Sequence, residues 1–304
     1  MVHRMEMRDL EYFAVVARHE NVARASEALG LSPPALSKSL RRLEAAVQAR
    51  LVERVPKGIA LTNAGKVLLG QIGKLRLSLE DVKREAADVG IGRAGHLRLG
   101  ISQADCEAVT RCCAEMVQDA PKLTVEIEIS NNDVMVPMLC AGELDLIINM
   151  LPAAAHDGTV QERLFDDDIV VCGSAAHPLV RHRRLTLEDL AKERWVLPKK
   201  DLMMRQQLER AFHEKGLPGP SVAIETRSVL ARDAAIAHSR MLGIGSMRML
   251  QRKPKEWPIV RLPVAEPLWR GPIGVIYRKD AYVPPAARQL VERFKLIGSR
   301  RTTK

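Results

Sequence analysis

Seven apolar residues within the segment 62–90 follow one another at alternating intervals of four and three positions. This heptad spacing predicts a helix of about 28 residues, which at ~1.5 Å per residue spans about 42 Å. A seam of that length favours a coiled coil between two copies of the chain, and a long helix packed on its own domain is the alternative. The seam consists of Leu68, Ile72, Leu75, Leu79, Val82, Ala86 and Val89.

Three shorter helices are predicted ahead of this seam. Asn21 and Ser32 can cap the second and third of them, and Pro33 suits the first position of the third. Gly30 supplies the turn between the two. The first helix is indicated by Leu10, Phe13, Ala14 and Ala17, and the third by Leu40, Leu43 and Val47 with either Ala35 or Leu36.

Two short helices joined by a tight turn, the second with hydroxyl and basic groups near its start, predict a helix-turn-helix. Ser37 can bond a phosphate or a base edge, while Lys38 and Arg41 can reach guanine acceptors or phosphate oxygens. Arg42 completes the polar face of this third helix. A solvated basic face is the alternative interpretation of these residues taken alone.

A wing follows the third helix. The segments 51–54 and 59–62 predict two short strands on either side of a glycine turn at 56–58, and Thr62 is placed to cap the long helix. The stretch 21–44, with its continuation through Leu51, Glu53-Arg54 and 61–65, resembles the DNA-binding domain of the LysR-type transcriptional regulators.

The resemblance implies that Pro34, Ser37 and Lys38 lie against the major groove of double-stranded promoter DNA and that Lys57 lies against its backbone. Pro33 stands where the family commonly has Gln, so one amide that can contact a base is missing. Val52 stands where the family usually has Phe, which affects packing more than DNA contact. The resemblance also implies that the long helix pairs two DNA-binding domains, within a dimer or a homotetramer.

Residues 95–304 alternate between strand and helix patterns, which predicts α/β layers. The segments 139–148, 177–179 and 241–245 are similar to parts of the effector-binding region of the same family, which is built like a type II periplasmic binding protein. Predicted strands lie at 96–101, 123–129, 144–150, 159–165, 168–172, 194–197, 222–226, 241–246 and 271–278, with helices near 201–215, 228–240 and 285–297.

The predicted fold class is thus α/β with an all-α winged helix-turn-helix at its N-terminus. The predicted domains are the DNA-binding domain 1–65, the linker helix and hinge 66–94, and the effector-binding domain 95–304. By resemblance the last domain has two subdomains, 95–165 with 271–304 and 166–270, joined by crossovers near 166–168 and 268–271.

In such a fold a small-molecule effector lies in the cleft beyond the carboxyl ends of the strands. Backbone N–H groups after Ser102 and near Ser228 can hold an anion at a helix start, with plain helix caps as the alternative. Arg205, Arg227 and Arg232 are candidates for counter-charge, with surface salt bridges as the alternative. The candidate effector residues are Ser102, Gln103, Asn131 with its neighbour Asn132, Asn149, Asp201, Ser228 and Gly245.

The formal net charge of +10 is unevenly distributed. Residues 1–66 carry +4, residues 95–287 are neutral and the tail 288–304 carries +5. A basic module that contains a helix-turn-helix indicates DNA as its partner. The longest apolar stretch, 144–155, is interrupted by polar residues, and the N-terminus is charged where a signal peptide needs an apolar core. These features predict a soluble, cytoplasmic protein.

The sequence predicts neither an enzyme nor a bound cofactor or metal, since it has no G-x-S-x-G, Walker loop or H-E-x-x-H. The glycines of 90–95 match a dinucleotide loop in spacing but follow a predicted helix and precede a strand, the reverse of the required order. Three aspartates at 166–168 predict a charged crossover rather than a cation site.

Five cysteines without a C-x-x-C pair predict buried thiols, with redox sensing at Cys106 as the alternative. The alternative functions are a solute-binding protein and an enzyme on the same scaffold.

Overall fold

The structure is a computed structural model that describes residues 5–56, 58–91, 95–251, 257–265 and 268–299. The chain divides into two compact units, 1–86 and 87–304, which are described in turn. The first contains helices α1 (Met7–His19), α2 (Val22–Ala28) and α3 (Pro33–Val47), strands β1 (Val52–Val55) and β2 (Gly58–Leu61), and most of helix α4 (Asn63–Ile91).

The residues that predicted the starts of α2 and α3 cap them in the structure. Asn21 Oδ1 accepts hydrogen bonds from two N–H groups of the first turn of α2, at 2.9 and 3.2 Å. Ser32 Oγ accepts one from the Ala35 N–H at 3.4 Å. Gly30 between the helices has a φ of +64°, a backbone conformation that glycine adopts without steric cost.

Helices α1 to α3 pack together and against the start of α4 around one apolar core. Its buried side chains include Phe13, Leu36, Leu43 and Ile72. Of the two alternatives for the first core residue of α3, Leu36 is buried and Ala35 is exposed. One side of α3 is therefore buried in this core, and the opposite side is exposed to solvent.

The wing is an antiparallel pair in which Val52 lies opposite Leu61 and Val55 opposite Gly58. It is held to the end of α1 by a 2.9 Å hydrogen bond from the Ile59 N–H to the Glu20 carbonyl. Gly58 has a φ of +138°, and a Cβ added there would lie 2.3 Å from the same carbonyl oxygen. Glycine is therefore required where the wing meets the helices.

Helix α4 begins as predicted, with Thr62 Oγ1 accepting a hydrogen bond from the Gly65 N–H at 3.0 Å. The first part of the heptad seam joins the core of the first unit through the buried Ile72. Three later seam residues are exposed in a single copy: Leu75 by 40%, Leu79 by 41% and Val82 by 60%. The seam is therefore uncovered over its middle part.

The second unit contains the remaining strands and helices. Its strands are β3 (His96–Ile101), β4 (Thr124–Ile129), β5 (Leu146–Met150), β6 (Thr159–Ser174), β7 (Arg194–Leu197), β8 (Ser221–Glu225), β9 (Gly243–Ser246), β10 (Ile259–Arg261) and β11 (Trp269–Arg278). Its helices are α5 (Cys106–Asp119), α6 (Asn132–Cys140), α7 (Leu187–Leu190), α8 (Met203–Glu214), α9 (Val229–Ala237), α10 (Met247–Leu250) and α11 (Pro285–Ser299), with a 3₁₀ helix at Pro178–Arg181.

These strands form two sheets. The larger has seven strands in the order β10-β6-β11-β5-β3-β4, with β9 also paired to β6. Within it β3 runs parallel to β4 and β5, whereas β6 and β11 run antiparallel to each other. The smaller sheet is the parallel pair of β7 and β8. This arrangement confirms the predicted α/β fold class.

One prediction about the strands is wrong. Segments 159–165 and 168–172 were expected to be two strands separated by a charged crossover, but β6 is one strand of 16 residues. Its pairing with β11 continues through the three aspartates, with Asp166 opposite Pro272 and Asp168 opposite Arg270. The charges do not interrupt the strand because Asp166 pairs with Arg163 and Asp168 with Arg270 on the exposed side.

Candidate functional site

The exposed side of α3 carries the residues predicted to contact DNA. Pro34, Lys38 and Arg41 are exposed, and Ser37 is partly exposed. Their spacing of four and three residues places Pro34, Lys38 and Arg41 on one helix face. We call these four residues the reading face.

Arg42 was predicted to belong with them, but the structure gives its guanidinium a partner inside the domain. Arg42 Nε donates a 2.7 Å hydrogen bond to Oδ2 of Asp9, and an Nη donates to the other oxygen. Ser39 also donates to Asp9, whose side chain is fully buried. Burial raises the pKa of Asp9, but the hydrogen bonds from Arg42 and Ser39 outweigh it and leave that pKa below its usual value. Arg42 therefore fastens α3 to α1.

Lys57, predicted to contact the DNA backbone, lies outside the described residues. The wing residues on either side of it are described, and Glu53 and Arg54 of β1 are exposed. The glycine-rich segment expected to act as a hinge is also partly outside, at 92–94. The segment begins within the last turn of α4 and precedes β3, which is the order of helix and strand that the sequence indicated.

The second unit holds a cavity of about 600 Å³. It lies at the carboxyl ends of β3 and β4 of the large sheet and of β7 and β8 of the small one. Most of the predicted effector residues line it: Ser102, Gln103, Asn131, Asn132, Asn149, Asp201 and Ser228. Gly245 is the exception, since its neighbours in β9, Ile244 and Ser246, line the cavity and Gly245 does not.

Hydrogen bonds among the lining residues fix several of these side chains. Asn149 Nδ2 donates to Oδ1 of Asn132 at 2.8 Å, and Asn132 Nδ2 donates to the Met150 carbonyl at 2.9 Å. Ser102 Oγ donates to Oδ2 of Asp105 at 2.9 Å. The Asn132–Asn149 pair therefore joins α6 to β5 at the cavity wall.

Ser228 caps α9, accepting a hydrogen bond from the Ala231 N–H at 3.2 Å. A helix cap was the alternative interpretation of Ser228, and in the structure Ser228 both caps α9 and lines the cavity. The capping bond uses an acceptor lone pair of the hydroxyl oxygen. The hydroxyl proton can therefore be donated to another acceptor, because a hydroxyl has one donor besides its acceptor lone pairs.

The three candidate arginines differ in position. Arg227 lines the cavity and contacts two carboxylates, Asp133 and Asp201. Arg232 is buried at the cavity wall, paired with Asp233 and donating to the Ile244 carbonyl at 2.7 Å. Arg205 is buried, forms an ion pair with Glu209 one turn further along α8, and does not line the cavity.

Asp167 is a cavity residue that the sequence did not identify. It is buried, lines the cavity and accepts a hydrogen bond from the Ser246 hydroxyl. Burial raises the pKa of Asp167 against the opposing effect of this hydrogen bond. The strand alternation through 166–168 was a usable signal, because the middle aspartate must face the side opposite to its two neighbours.

The apolar part of the cavity wall is rich in methionine. Flexible thioether side chains adapt to ligands of different shape. The lining includes Met150, Met203, Met204 and Met249 together with Ile129, Ile169, Ile244 and Ile273.

Other predicted features can be placed as well. Cys112, Cys113 and Cys172 are buried free thiols, and burial raises the pKa of Cys113 to about 12. The prediction of buried thiols is wrong for Cys106 and Cys140, which are free and only partly buried. In the described part of the chain, no three His, Cys, Asp or Glu residues are grouped to hold a metal ion. Over the same ranges, every helix is too short or too polar to span a bilayer.

Two family models match the chain. Residues 7–66 match the bacterial regulatory helix-turn-helix protein model of the lysR family. Residues 90–296 match the LysR substrate binding domain. Together the two matches cover the reading face and the whole cavity.

Curated relatives and solved structures agree with these models. The chain is 27% identical to the regulator GbpR of Azospirillum brasilense, over 94% of this chain and 84% of that protein. It is 27% identical to a RuBisCO operon transcriptional regulator of Allochromatium vinosum, over 93% of each. A full-length OxyR variant from Pseudomonas aeruginosa has the same fold, with a TM-score of 0.65, 21% identity and coverage of 96% and 95%. CbnR in complex with its target DNA has a TM-score of 0.61 at 21% identity, with coverage of 96% and 99%.

A winged helix-turn-helix followed by an α/β domain with a ligand-sized cavity defines a ligand-responsive, DNA-binding transcriptional regulator. The chain belongs to the LysR family of these regulators.

Proposed function

We propose that this regulator contacts promoter DNA through the reading face of α3, with Ser37, Lys38 and Arg41 as the base- and phosphate-contacting side chains. The observation that carries the proposal is the division of α3 into two sides. Leu36 and its successors along one side are buried in the core, whereas the reading face is exposed. Hydroxyl and basic groups are the donors that base edges and phosphates accept. The fold shared with the DNA-bound CbnR supports the proposal.

The regulator acts as a homo-oligomer, a dimer or a tetramer, paired through α4. Support comes from Leu75, Leu79 and Val82, which continue the heptad seam and are exposed in a single copy. Covering them with a second α4 removes apolar surface from water. Two-fold pairing then presents two reading faces to two half-sites at a fixed spacing.

A small-molecule effector binds in the cavity of the second unit and changes how the oligomer binds DNA. In this proposal the domain 1–65 binds DNA, the segment 66–94 pairs the copies and the domain 95–304 binds the effector. The cavity then lies between the two subdomains of the effector-binding domain. One subdomain is formed by 95–165 together with 271–304, and the other by 166–270. A coupling of about 1–3 kcal/mol between effector and DNA is sufficient for control. The proposed action is regulatory rather than enzymatic, and takes place in the cytoplasm.

A gel-retardation titration on the DNA upstream of the protein's own coding sequence tests this function. We expect a specific shift that survives competitor DNA. With about six to ten phosphate contacts, affinity should fall by roughly 10³ to 10⁵ between 50 and 200 mM salt. Absence of a specific shift on this DNA at any moderate salt concentration would contradict the proposal.

A further inference from the structure

Exposed arginines of the second unit are of two kinds. Some form ion pairs with carboxylates of the chain, as Arg163 does with Asp166 and Arg270 with Asp168. Others form no ion pair with any residue that the structure describes, and all of these but Arg288 are grouped at one end of the unit. We call this group the arginine face. It consists of Arg181, Arg183, Arg184, Arg194, Arg240 and Arg261.

Two hydrogen bonds bring three segments of the arginine face together. The ring of the buried His177, just ahead of the 3₁₀ helix that ends at Arg181, donates from Nε2 to the Arg240 carbonyl at 3.0 Å. Two residues after Arg240, the Leu242 N–H donates a 2.9 Å hydrogen bond to the Arg194 carbonyl. Arg181, Arg240 and Arg194 therefore lie on neighbouring segments of the chain.

The loop 181–184 is also fixed at its other end, beside the last arginine of the face. Leu185 is buried, and its N–H donates to the Pro263 carbonyl at 2.9 Å. Leu185 also forms a bridge with Val264, whose carbonyl accepts a 3.2 Å hydrogen bond from Nη2 of Arg261. The guanidinium groups of the loop are thus presented from an anchored backbone, which limits the entropy lost when they bind a partner.

The arginine face carries positive charge that the chain leaves largely uncompensated. Residues 95–287 are neutral as a whole, so this surplus is local. The carboxylates that border the face are engaged elsewhere: Glu188 and Asp189 accept hydrogen bonds at the start of α7, and Glu193 lies 3.7 Å from the ring of His177. Like charges held together repel one another, so a polyanion is favoured as the partner of this face.

The composition of the arginine face fits a phosphate backbone better than a protein surface. A guanidinium presents parallel N–H donors that match the oxygens of a phosphate. Protein interfaces combine such groups with a buried apolar centre. None of the large apolar side chains that are exposed in the described residues belongs to the segments of the arginine face. Phosphate contacts need only charge and hydrogen-bond donors.

The arginine face is separate from the effector cavity. Arg194 begins β7 and Arg240 precedes β9, whereas the cavity lies at the carboxyl end of β7 and includes Ser246 at the end of β9. None of the six arginines lines the cavity. Substitutions in the face therefore leave the lining of the cavity unchanged.

We propose that the arginine face of the second unit binds the phosphate backbone of the promoter DNA, as a contact additional to the reading face of α3. The proposal rests on the proposed function of the protein as a DNA-binding regulator. Once the reading face has bound, the second unit is tethered to the same DNA, so a weak contact is favoured by the high local concentration of phosphate. Such a contact adds affinity but no sequence information.

The test is the salt dependence of DNA affinity, measured with the full-length protein. Each phosphate contact on B-DNA contributes about −0.9 to the slope of log K against log salt concentration. Arg183→Gln combined with Arg184→Gln should flatten the slope by about 1.8, so that between 50 and 200 mM salt the wild-type affinity falls about tenfold further than that of the variant. We expect the same flattening on the upstream DNA and on a scrambled sequence of equal length.

Two further variants separate a local contact from a change in net charge. Arg183→Lys combined with Arg184→Lys keeps both charges and should keep the wild-type slope. Lys122→Gln combined with Arg288→Gln removes the same charge at exposed positions outside the arginine face, where neither residue has an ion pair in the described part of the chain. This control should also keep the wild-type slope. Melting curves establish that each variant is folded.

Arg194→Gln combined with Arg240→Gln repeats the test on two other segments of the face and should flatten the slope in the same way. Wild-type slopes for both glutamine pairs in the face would overturn the proposal and leave an acidic protein surface as the occupant. Equal flattening by the control outside the face would also overturn it. In both cases a specific shift by wild type leaves the regulator function standing, whereas absence of that shift contradicts the proposed function itself.

Discussion

The buried carboxylate of Asp9, on the first helix, holds the guanidinium of Arg42, on the third, through a 2.7 Å hydrogen bond from Nε and a second one from an Nη. Ser39 donates to the same carboxylate from the preceding turn of α3. These contacts fix the rotation of α3 relative to α1. Because the reading face belongs to the same continuous helix, they also fix where that face points.

Replacing Asp9 by Asn should lower the free energy of unfolding by about 1–3 kcal/mol, because a charge-assisted hydrogen bond to a buried group is lost. The pKa of Asp9 in the folded state lies below its unfolded value of about 3.9. Its contribution is therefore complete above that unfolded value and is lost as the pH falls through the folded-state pKa. Urea unfolding between neutral and acid pH measures both effects.

Arg50→Gln is the matched control, since Arg50 is 84% exposed and lies 3.9 Å from Glu44. It should change stability by less than about 1 kcal/mol at any pH. Equal stability of Asp9→Asn and wild type at neutral pH would show that the Asp9–Arg42 contact does not hold α3.

Gly58→Ala should destabilise the wing, because the added Cβ would lie 2.3 Å from the Glu20 carbonyl oxygen at a φ of +138°. We expect a loss of about 1–3 kcal/mol in urea unfolding. Gly70→Ala is the control, since its added Cβ meets nothing within 4 Å inside a helix. That change should stabilise by about 0.5–1 kcal/mol. Equal effects of the two substitutions would argue against the described contact between the wing and α1.

Leu79→Glu should weaken oligomerisation, because it places a charge in the exposed part of the α4 seam. Arg76→Gln, which changes the net charge by the same amount at an exposed position off the seam, should not. Analytical ultracentrifugation of the two variants against wild type gives the assembly state. An unchanged assembly for Leu79→Glu would mean that α4 does not pair the copies.

The first unit could be predicted from the sequence almost element by element. Its helix starts depend on local chemistry, such as the caps at Asn21 and Ser32, and local chemistry is visible in a single sequence. The role of Arg42 could not be predicted, because its partner lies 33 residues away on another helix. Sequence spacing identifies the polar face of a helix but does not identify which of its charges already has a partner.

The second unit was predicted in outline and missed in detail. The carboxyl ends of the parallel strands do converge on one cavity, so seven of the eight candidate residues line it. The continuous strand β6 and the buried Asp167 were missed because pairing with β11 compensates the charges of 166–168. Helices α7 and α10 have four residues each, which is too short for any periodicity to indicate them.

Ser102→Trp should abolish the response to any compound that changes DNA retardation by wild type, because an indole would fill part of the cavity at the carboxyl end of β3. Specific DNA binding without the compound should persist. Glu107→Trp, an exposed position on the neighbouring helix, is the control and should keep the response. A normal response by Ser102→Trp would place the effector elsewhere.

Footprinting on the upstream DNA tests the central claim, that α3 reads promoter DNA from a symmetric oligomer, most directly. Wild type should protect two half-sites related by dyad symmetry and separated by about one helical turn or a multiple of it. Ser37→Ala combined with Lys38→Ala should lose this selective protection while its assembly state stays unchanged. A normal footprint from that double variant would contradict the account.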